Sequence, residues 1–218
     1  MDIVGIIPAR RGSRRLPNKN LAELAGQPLL SYTCHAALES GVFSAVYVNT
    51  DSDEIADVAR RHGVPCPALR PPGLAGDGTT MRDANPWLLQ TLARRGESFD
   101  ALMILQPTSP LRTPSDIRGA AQLFEEHAPC TVMSVTPLAP ANWLARIDHA
   151  GRLERLPGDE RMYRLNGAIY IHMTQDYLAD HAPRKTMAYV MPPERSVDID
   201  TLDDLRLAEL LLGDCVMH

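Results

Sequence analysis

Arg10, Arg11, Arg14, Arg15 and Lys19 place five cations within ten residues of the stretch Pro8-Ala-Arg-Arg-Gly-Ser-Arg-Arg-Leu-Pro-Asn-Lys-Asn20. Gly12 and Ser13 lie among them, permitting close backbone approach and adding amide and hydroxyl donors. Clustered cations with exposed N–H groups suit a polyphosphate carrying about four negative charges. A basic loop that only meets solvent is the alternative, but a position directly after a strand-like run favours the phosphate reading. Neither G-x-G-x-x-G nor G-x-x-x-x-G-K-[ST] occurs, which disfavours dinucleotide-type and Walker-type binding.

A second cluster is Arg195-Ser-Val-Asp-Ile-Asp200. In extended chain, residues two apart share a side, so Val197 and Ile199 can face a core while Asp198 and Asp200 project together. Two carboxylates about 6 Å apart repel by about 3 kcal/mol at an effective dielectric of 20, so a cation between them is favoured. Hard oxygen ligands beside a phosphate loop point to Mg²⁺ at Asp198 and Asp200, shared with substrate phosphates. The competing reading is a polar strand edge with Asp200 as the N-cap of the last helix.

A third element, Leu105-Gln-Pro-Thr-Ser-Pro-Leu-Arg112, has two prolines to stiffen a turn; Gln106, Thr108, Ser109 and Arg112 are expected to present donors there. Leu69-Arg70-Pro71-Pro72 and Asn166-Gly167-Ala168 are similar elements with less content. The seven His residues are scattered, and no Ser/His/Asp or Cys/His nucleophilic set can be assembled. A displacement stabilised by a metal and cations needs none.

These clusters require a frame. Ile3–Pro8, Ala45–Asn49, Ala101–Leu105, Thr131–Thr136, Ala168–His172 and Met187–Val190 read as strands. Between them, Pro28–Ser40, a stretch opened by the capping signal Thr50–Glu54 and running to about His62, Pro114–Glu126, Thr174–His181 and Thr201–Leu212 read as helices. Gly41 and Gly63 stand as stops, and capping patterns open at Thr113 and Thr201. Alternation of this kind predicts a mainly parallel α/β sheet with helices on both faces and ligand loops at the carboxyl ends of its strands. Functional residues are expected to follow the C-terminal ends of Ile3–Pro8, of Ala101–Leu105 and of a strand near Asp198. From about 137 to 165 the rhythm breaks, and a small projecting subdomain inserted into one domain spanning 1–218 is expected.

The 218 residues are enough for a substantial core. A net charge of −5 argues against general nucleic-acid binding. No apolar run nears the roughly 20 residues needed to span a bilayer, and Met1-Asp-Ile-Val4 lacks a signal-like basic segment, so a cytoplasmic location is expected. The four cysteines are widely spaced without a C-x-x-C pair, consistent with free thiols. Twenty of the basic residues are Arg and two are Lys, which singles out Lys19.

Taken in order, Ile7–Asn20, Gly26-Gln-Pro-Leu-Leu30, Val48-Asn-Thr-Asp51, Leu69-Arg-Pro71, Leu105–Arg112, Asn166-Gly-Ala-Ile-Tyr170 and Ser196-Val-Asp-Ile-Asp200 resemble the acylneuraminate cytidylyltransferases, the CMP-sialic acid synthetases, over essentially the whole chain. The resemblance implies a Rossmann-like (GT-A-like) nucleotidyltransferase fold, a homodimer joined through the projecting subdomain, and Mg²⁺ dependence. It implies transfer of CMP from CTP to a nonulosonic acid of sialic or legionaminic type, with release of pyrophosphate. It implies Ala9, Arg10, Gly12, Ser13, Lys19, Asn20 and Arg70 at the nucleotide, and Gln106, Arg164, Asn166 and Tyr170 at the sugar. Catalysis would fall to Lys19, Arg10, Asp198 and Asp200, with the two aspartates as metal ligands. A synthetase for the eight-carbon acid Kdo, or a nucleotide-binding regulator without catalysis, are the other readings. The chain departs from the family pattern in having Arg14-Arg15 for Lys-Gly, Asp77-Gly-Thr-Thr-Met81 for Asp-Thr-Ala-Ser-Ser, and no lysine in the projecting segment.

Overall fold

The computed structural model describes residues 1–13, 15–76 and 78–215, with the backbone alone for Asp214 and Cys215; readings that involve Arg14, Asp77, the Cys215 thiol and His218 lie outside the described residues. The chain forms β1 (Ile3–Pro8), β2 (Glu23–Leu24), β3 (Gln27–Pro28), α1 (Leu29–Ser40), β4 (Ala45–Asn49), α2 (Asp53–Arg61), α3 (Met81–Ala93), β5 (Ala101–Leu105) and α4 (Pro114–His127). There follow β6 (Thr131–Pro140), β7 (Ala145–Ile147), β8 (Leu153–Arg155), β9 (Arg161–Met173), α5 (Thr174–Leu178), β10 (Thr186–Val190) and α6 (Leu202–Cys215).

Six strands make one sheet in the order β10-β6-β9-β5-β1-β4. β1 runs parallel to β4 and β5, and β10 to β6, while β9 is antiparallel to both its neighbours. Alternation along the central strands decides which helix covers which face. Ile3, Ile7, Met103 and Leu105 meet Leu30, Cys34, Ile55, Ile117 and Phe124, the apolar stripes of α1, α2 and α4. Val4, Ile6, Leu102 and Ile104 meet Leu88, Leu89 and Leu92 of α3 and Tyr177 of α5. Helices therefore cover both faces, as the alternation of elements predicts.

Local signals set the boundaries. Gly41 ends α1 in the left-handed region, and the Ser52 hydroxyl accepts from the Ile55 N–H to open α2. Thr113 and Asp116 form a reciprocal capping box on α4. Residues 137–165 project from the sheet. They extend β6 and β9 beyond the sheet as a two-stranded arm, tipped by the β7–β8 hairpin. Trp143, Ile147 and Leu153 on this arm are 81%, 70% and 64% exposed, an apolar surface that lacks cover in one copy of the chain. No helix of the described residues is long and apolar enough to cross a membrane.

Candidate active site

The loop after β1 is tied down by its backbone. The Ala9 N–H donates to the Asn49 carbonyl at 3.0 Å, the Arg11 N–H to Asp51 Oδ1 at 2.8 Å, and Asn20 Nδ2 to the Arg10 carbonyl at 2.8 Å. With these anchors, Arg10, Gly12, Ser13, Lys19 and Asn20 line a crevice of about 340 Å³ together with Arg70 and Gln106. Ala9, expected to touch the nucleotide, is instead fully buried with its N–H spent on β4. Arg10 Nη1 donates to the Gly76 carbonyl at 3.5 Å.

The acidic doublet arrives from the other end of the chain. Lys19 Nζ donates to Asp200 Oδ1 at 2.8 Å, and Arg15 Nη1 to Asp200 Oδ2 at 2.7 Å. The basic loop and the doublet thus share one place. No strand forms near Asp198, contrary to expectation, because this segment crosses the Thr108 turn instead of lying beside a strand. Its backbone bond there runs from the Ile199 N–H to the Thr108 carbonyl at 2.8 Å. Ile199 is fully buried against Leu16, Leu24, Leu29 and Leu111, so the expected division of apolar and acidic residues holds. Asp200 is not the cap of α6: the Thr201–Asp204 box opens that helix, and the Asp200 carboxylate is left for the two cations.

Burial and the charge of Asp200 hold the Asp198 carboxyl above its ordinary range, against a hydrogen bond with Thr108 and the charges of Lys19 and Arg164. Among the described residues no group of three His, Cys, Asp or Glu could hold a metal. Two carboxylates beside clustered cations suit Mg²⁺, which takes one or two carboxylates and completes its shell with phosphate oxygens and water.

The remaining expected residues divide. Gln106 is half-buried in the crevice wall, its Nε2 donating to Met81 Sδ at 3.6 Å and its Oε1 accepting from Thr108 at 3.4 Å. Arg164 is exposed on β9 with its charge felt at Asp198, and Tyr170 is half-buried with its phenol raised by burial and by Asp198. Asn166, expected at the sugar, is 1% exposed and has all its polar capacity used inside the fold. Its Oδ1 accepts from Ser134 Oγ at 2.6 Å and the Ala168 N–H at 3.3 Å; its Nδ2 donates to Ser196 Oγ at 2.9 Å and Met191 Sδ at 3.4 Å. Asn166 therefore staples the segment leading to Asp198 onto β6 and β9. Arg112 is likewise an internal strut, not a rim donor. It is 3% exposed and donates to the carbonyls of Gln106 and Ala168 at 3.2 and 2.9 Å and to Thr33 Oγ1 at 2.8 Å. Burial pushes its guanidinium down to about 10.

Between these two struts stands Gly167, at φ +77°, where an added Cβ would lie 3.4 Å from Gln106 Oε1 and 3.9 Å from Asp198 Oδ2. A side chain in left-handed backbone costs about 1–2 kcal/mol. Gly167→Ala is therefore expected to lower the thermal midpoint by about 2–8 °C. An unchanged melting curve would refute this strain argument.

Thr79, Thr80, Met81 and Pro107 also line the crevice and were not anticipated as site residues. Thr79, Thr80 and Met81 come with the start of α3, a helix the sequence pattern does not predict, and Pro107 with the turn after β5. The signals of α3 were present: a Thr80–Asp83 capping box and apolar residues at Ala84, Leu88, Leu89 and Leu92, obscured by Pro86 inside the helix.

The fold is that of the Rossmann-like nucleotidyltransferases. CMP:2-keto-3-deoxy-manno-octonic acid synthetase complexed with CTP superimposes with a TM-score of 0.74 over 98% of this chain and 99% of that one, at 18% identity. The 4-diphosphocytidyl-2C-methyl-D-erythritol synthase of Anaerococcus prevotii gives 0.71 over 97% and 98%, at 15% identity. A profile described as Cytidylyltransferase matches residues 4–205, and the chain belongs to that family of enzymes. It is 37% identical to the CMP-N,N'-diacetyllegionaminic acid synthase of Legionella pneumophila over 97% of both chains. It is 32% identical to the N-acylneuraminate cytidylyltransferase of Streptococcus agalactiae over 94% of this chain but 52% of that protein, so it spans about half that relative's length. Identity to the pseudaminic acid cytidylyltransferase of Campylobacter jejuni is 28%, over 94% of each.

Proposed function

We propose that this chain is a CMP-sugar synthetase acting on a nonulosonic acid of legionaminic or sialic type. The observation that carries the reading is the contact of Lys19, which lines the crevice, with Asp200 of the acidic doublet. The anomeric oxygen of the sugar acid attacks the α-phosphorus of CTP, a new C–O–P link forms, and the bond to the bridging oxygen breaks as pyrophosphate leaves. One carboxylate of the doublet accepts the hydroxyl proton. Arg10, Ser13 and Lys19 hold the phosphates, with Gly12 giving close backbone approach and Asn20 bracing the loop; Lys19 meets the charge that grows on the α-phosphate. Arg70 reads the base. Asp198 and Asp200 would hold Mg²⁺, which supplies charge neutralisation across the phosphates. Gln106, Arg164 and Tyr170 serve the sugar, and Asn166 serves it indirectly by fixing its neighbours. Catalysis in this scheme is positioning and electrostatics.

The higher identity to the legionaminic enzyme than to the pseudaminic one supports the choice of sugar. The test is pyrophosphate release from CTP and Mg²⁺ with legionaminic, sialic, pseudaminic and Kdo acids in turn. Turnover with legionaminic or sialic acid is expected. Turnover with Kdo alone would move the enzyme to the eight-carbon class, and CTP binding without pyrophosphate would make it a regulator.

The uncovered arm supports a homodimer, with Trp143, Ile147 and Leu153 buried against a second copy. Trp143→Asp combined with Ile147→Asp is expected to convert a dimer to a folded monomer in sedimentation velocity; a wild-type chain that sediments as a monomer would end this assignment. The cytoplasm suits the free thiols of Cys34, Cys66 and Cys130 among the described residues.

A further inference from the structure

We propose that Asn49 is a positioning residue for nucleotide discrimination, acting by fixing the plane of the Arg70 guanidinium. The proposal rests on Arg70 as the base-reading group and goes beyond it, because it asks what makes Arg70 selective.

Arg70 is 8% exposed, and burial pushes its guanidinium down to about 10, with Asp51 opposing that fall and Arg10 adding to it. Among the described residues no carboxylate hydrogen-bonds to it. Nε donates to Asn49 Oδ1 at 2.7 Å, and Nη2 donates to the Asn49 backbone carbonyl. Both bonds end on one residue, the last of β4, so the guanidinium is gripped at two points and cannot rotate about its long axis. Three N–H groups, on Nη1 and Nη2, are left without an acceptor among the described residues, on a side chain that lines the crevice.

Asn49 is itself held. It is fully buried, and its Nδ2 donates to the Ala84 carbonyl at 3.1 Å and to Asn85 Oδ1 at 2.9 Å. Two acceptors around the nitrogen fix which way the amide faces, so Oδ1 must point at Arg70. Asn85, also fully buried, donates to Tyr177 Oη at 3.4 Å, and that hydroxyl donates to the Met81 carbonyl at 2.9 Å. The chain of bonds starts and ends on crevice-lining residues, Arg70 and Met81, and passes through the buried start of α3. A buried, interlinked polar network of this kind is a rigid device.

Rigidity matters because cytosine and uracil have the same outline. Cytosine offers adjacent acceptors at O2 and N3, which a guanidinium edge can meet with two donors; uracil presents an N–H at position 3. A guanidinium held in one plane gains two bonds with cytosine and faces a donor with uracil. A loosely held one can tilt to find the uracil oxygens, and discrimination falls.

The experiment compares kcat/KM for CTP and UTP in the full enzyme at saturating sugar acid. Asn49→Ala is expected to lower the CTP:UTP ratio by about tenfold, mainly through the KM for CTP, with the KM for the sugar acid unmoved. Asn85→Ala keeps the Asn49–Arg70 grip but frees the amide, and is expected to lower the same ratio by a smaller factor; it carries the test should Asn49→Ala fail to fold. Arg70→Gln is the reference. If it abolishes discrimination while both asparagine variants that fold keep the wild-type ratio, the proposal is overturned and the base-reading role stands. If Arg70→Gln leaves the ratio unmoved, the base-reading role fails and the proposal falls with it. A purely structural role for Asn49 would lower the melting temperature without moving the ratio, which also overturns it.

Discussion

Lys19→Ala should lower turnover by about 100- to 1000-fold, the usual loss when one donor to a developing oxyanion is removed. The fold should survive, because the side chain makes one ion pair at the crevice mouth, and a partly exposed pair is worth at most about 1 kcal/mol. Asp200 keeps Arg15 as a partner, so no carboxylate is stranded. Single-turnover rates with saturating CTP, set beside a melting curve, separate the two effects. A rate within threefold of wild type would remove Lys19 from the chemistry; a collapsed melting curve would assign it to the scaffold.

Asp198→Asn combined with Asp200→Asn should abolish turnover and, as a separate readout, remove the dependence of CTP binding on Mg²⁺ measured by calorimetry. The amides keep the shape of the side chains but lose the negative charge that a hard cation requires. Stability should change little or rise, since burial and mutual repulsion already oppose the charge on Asp198. The same environment fixes the direction of a pH effect. Because the Asp198 carboxyl lies above its ordinary range, its charged form is lost earlier as pH falls, so the acid limb of kcat/KM should stand above that of an unperturbed aspartate. A double variant that still binds CTP more tightly with Mg²⁺ than without it would overturn the metal assignment.

The frame and both charged clusters were legible because each rests on local chemistry. The run Ile3–Pro8 and the capping boxes at Thr113 and Thr201 carry their structural meaning in a few adjacent residues. The convergence of Lys19 and Asp200 followed from topology, since loops at the carboxyl ends of parallel strands gather on one rim. What escaped depends on partners distant in sequence. Asn166 and Arg112 look like rim donors in the sequence, yet each is consumed by buried acceptors that folding brings to it: Ser196 and Met191 for one, Ala168 and Thr33 for the other. Nothing local distinguishes a donor aimed at a ligand from one aimed at a carbonyl. The helix α3 was missed for a different reason, because Pro86 conceals an otherwise regular apolar period. The arm from 137 to 165 shows in the sequence only as a break in the rhythm, because its exposed strands carry few inward-facing apolar residues from which a pattern could be read.

The two oxygens of Asp200 are engaged by Arg15 and Lys19, the same cations that incoming phosphates would claim. A triphosphate that draws them away leaves a bare carboxylate, and a divalent cation drawn to that carboxylate releases the two basic side chains. On the reading given above, neither ligand can then bind indifferently to the other. Thermodynamic reciprocity requires each to tighten its companion by the same factor, so a weak site for either alone becomes a strong site for the pair.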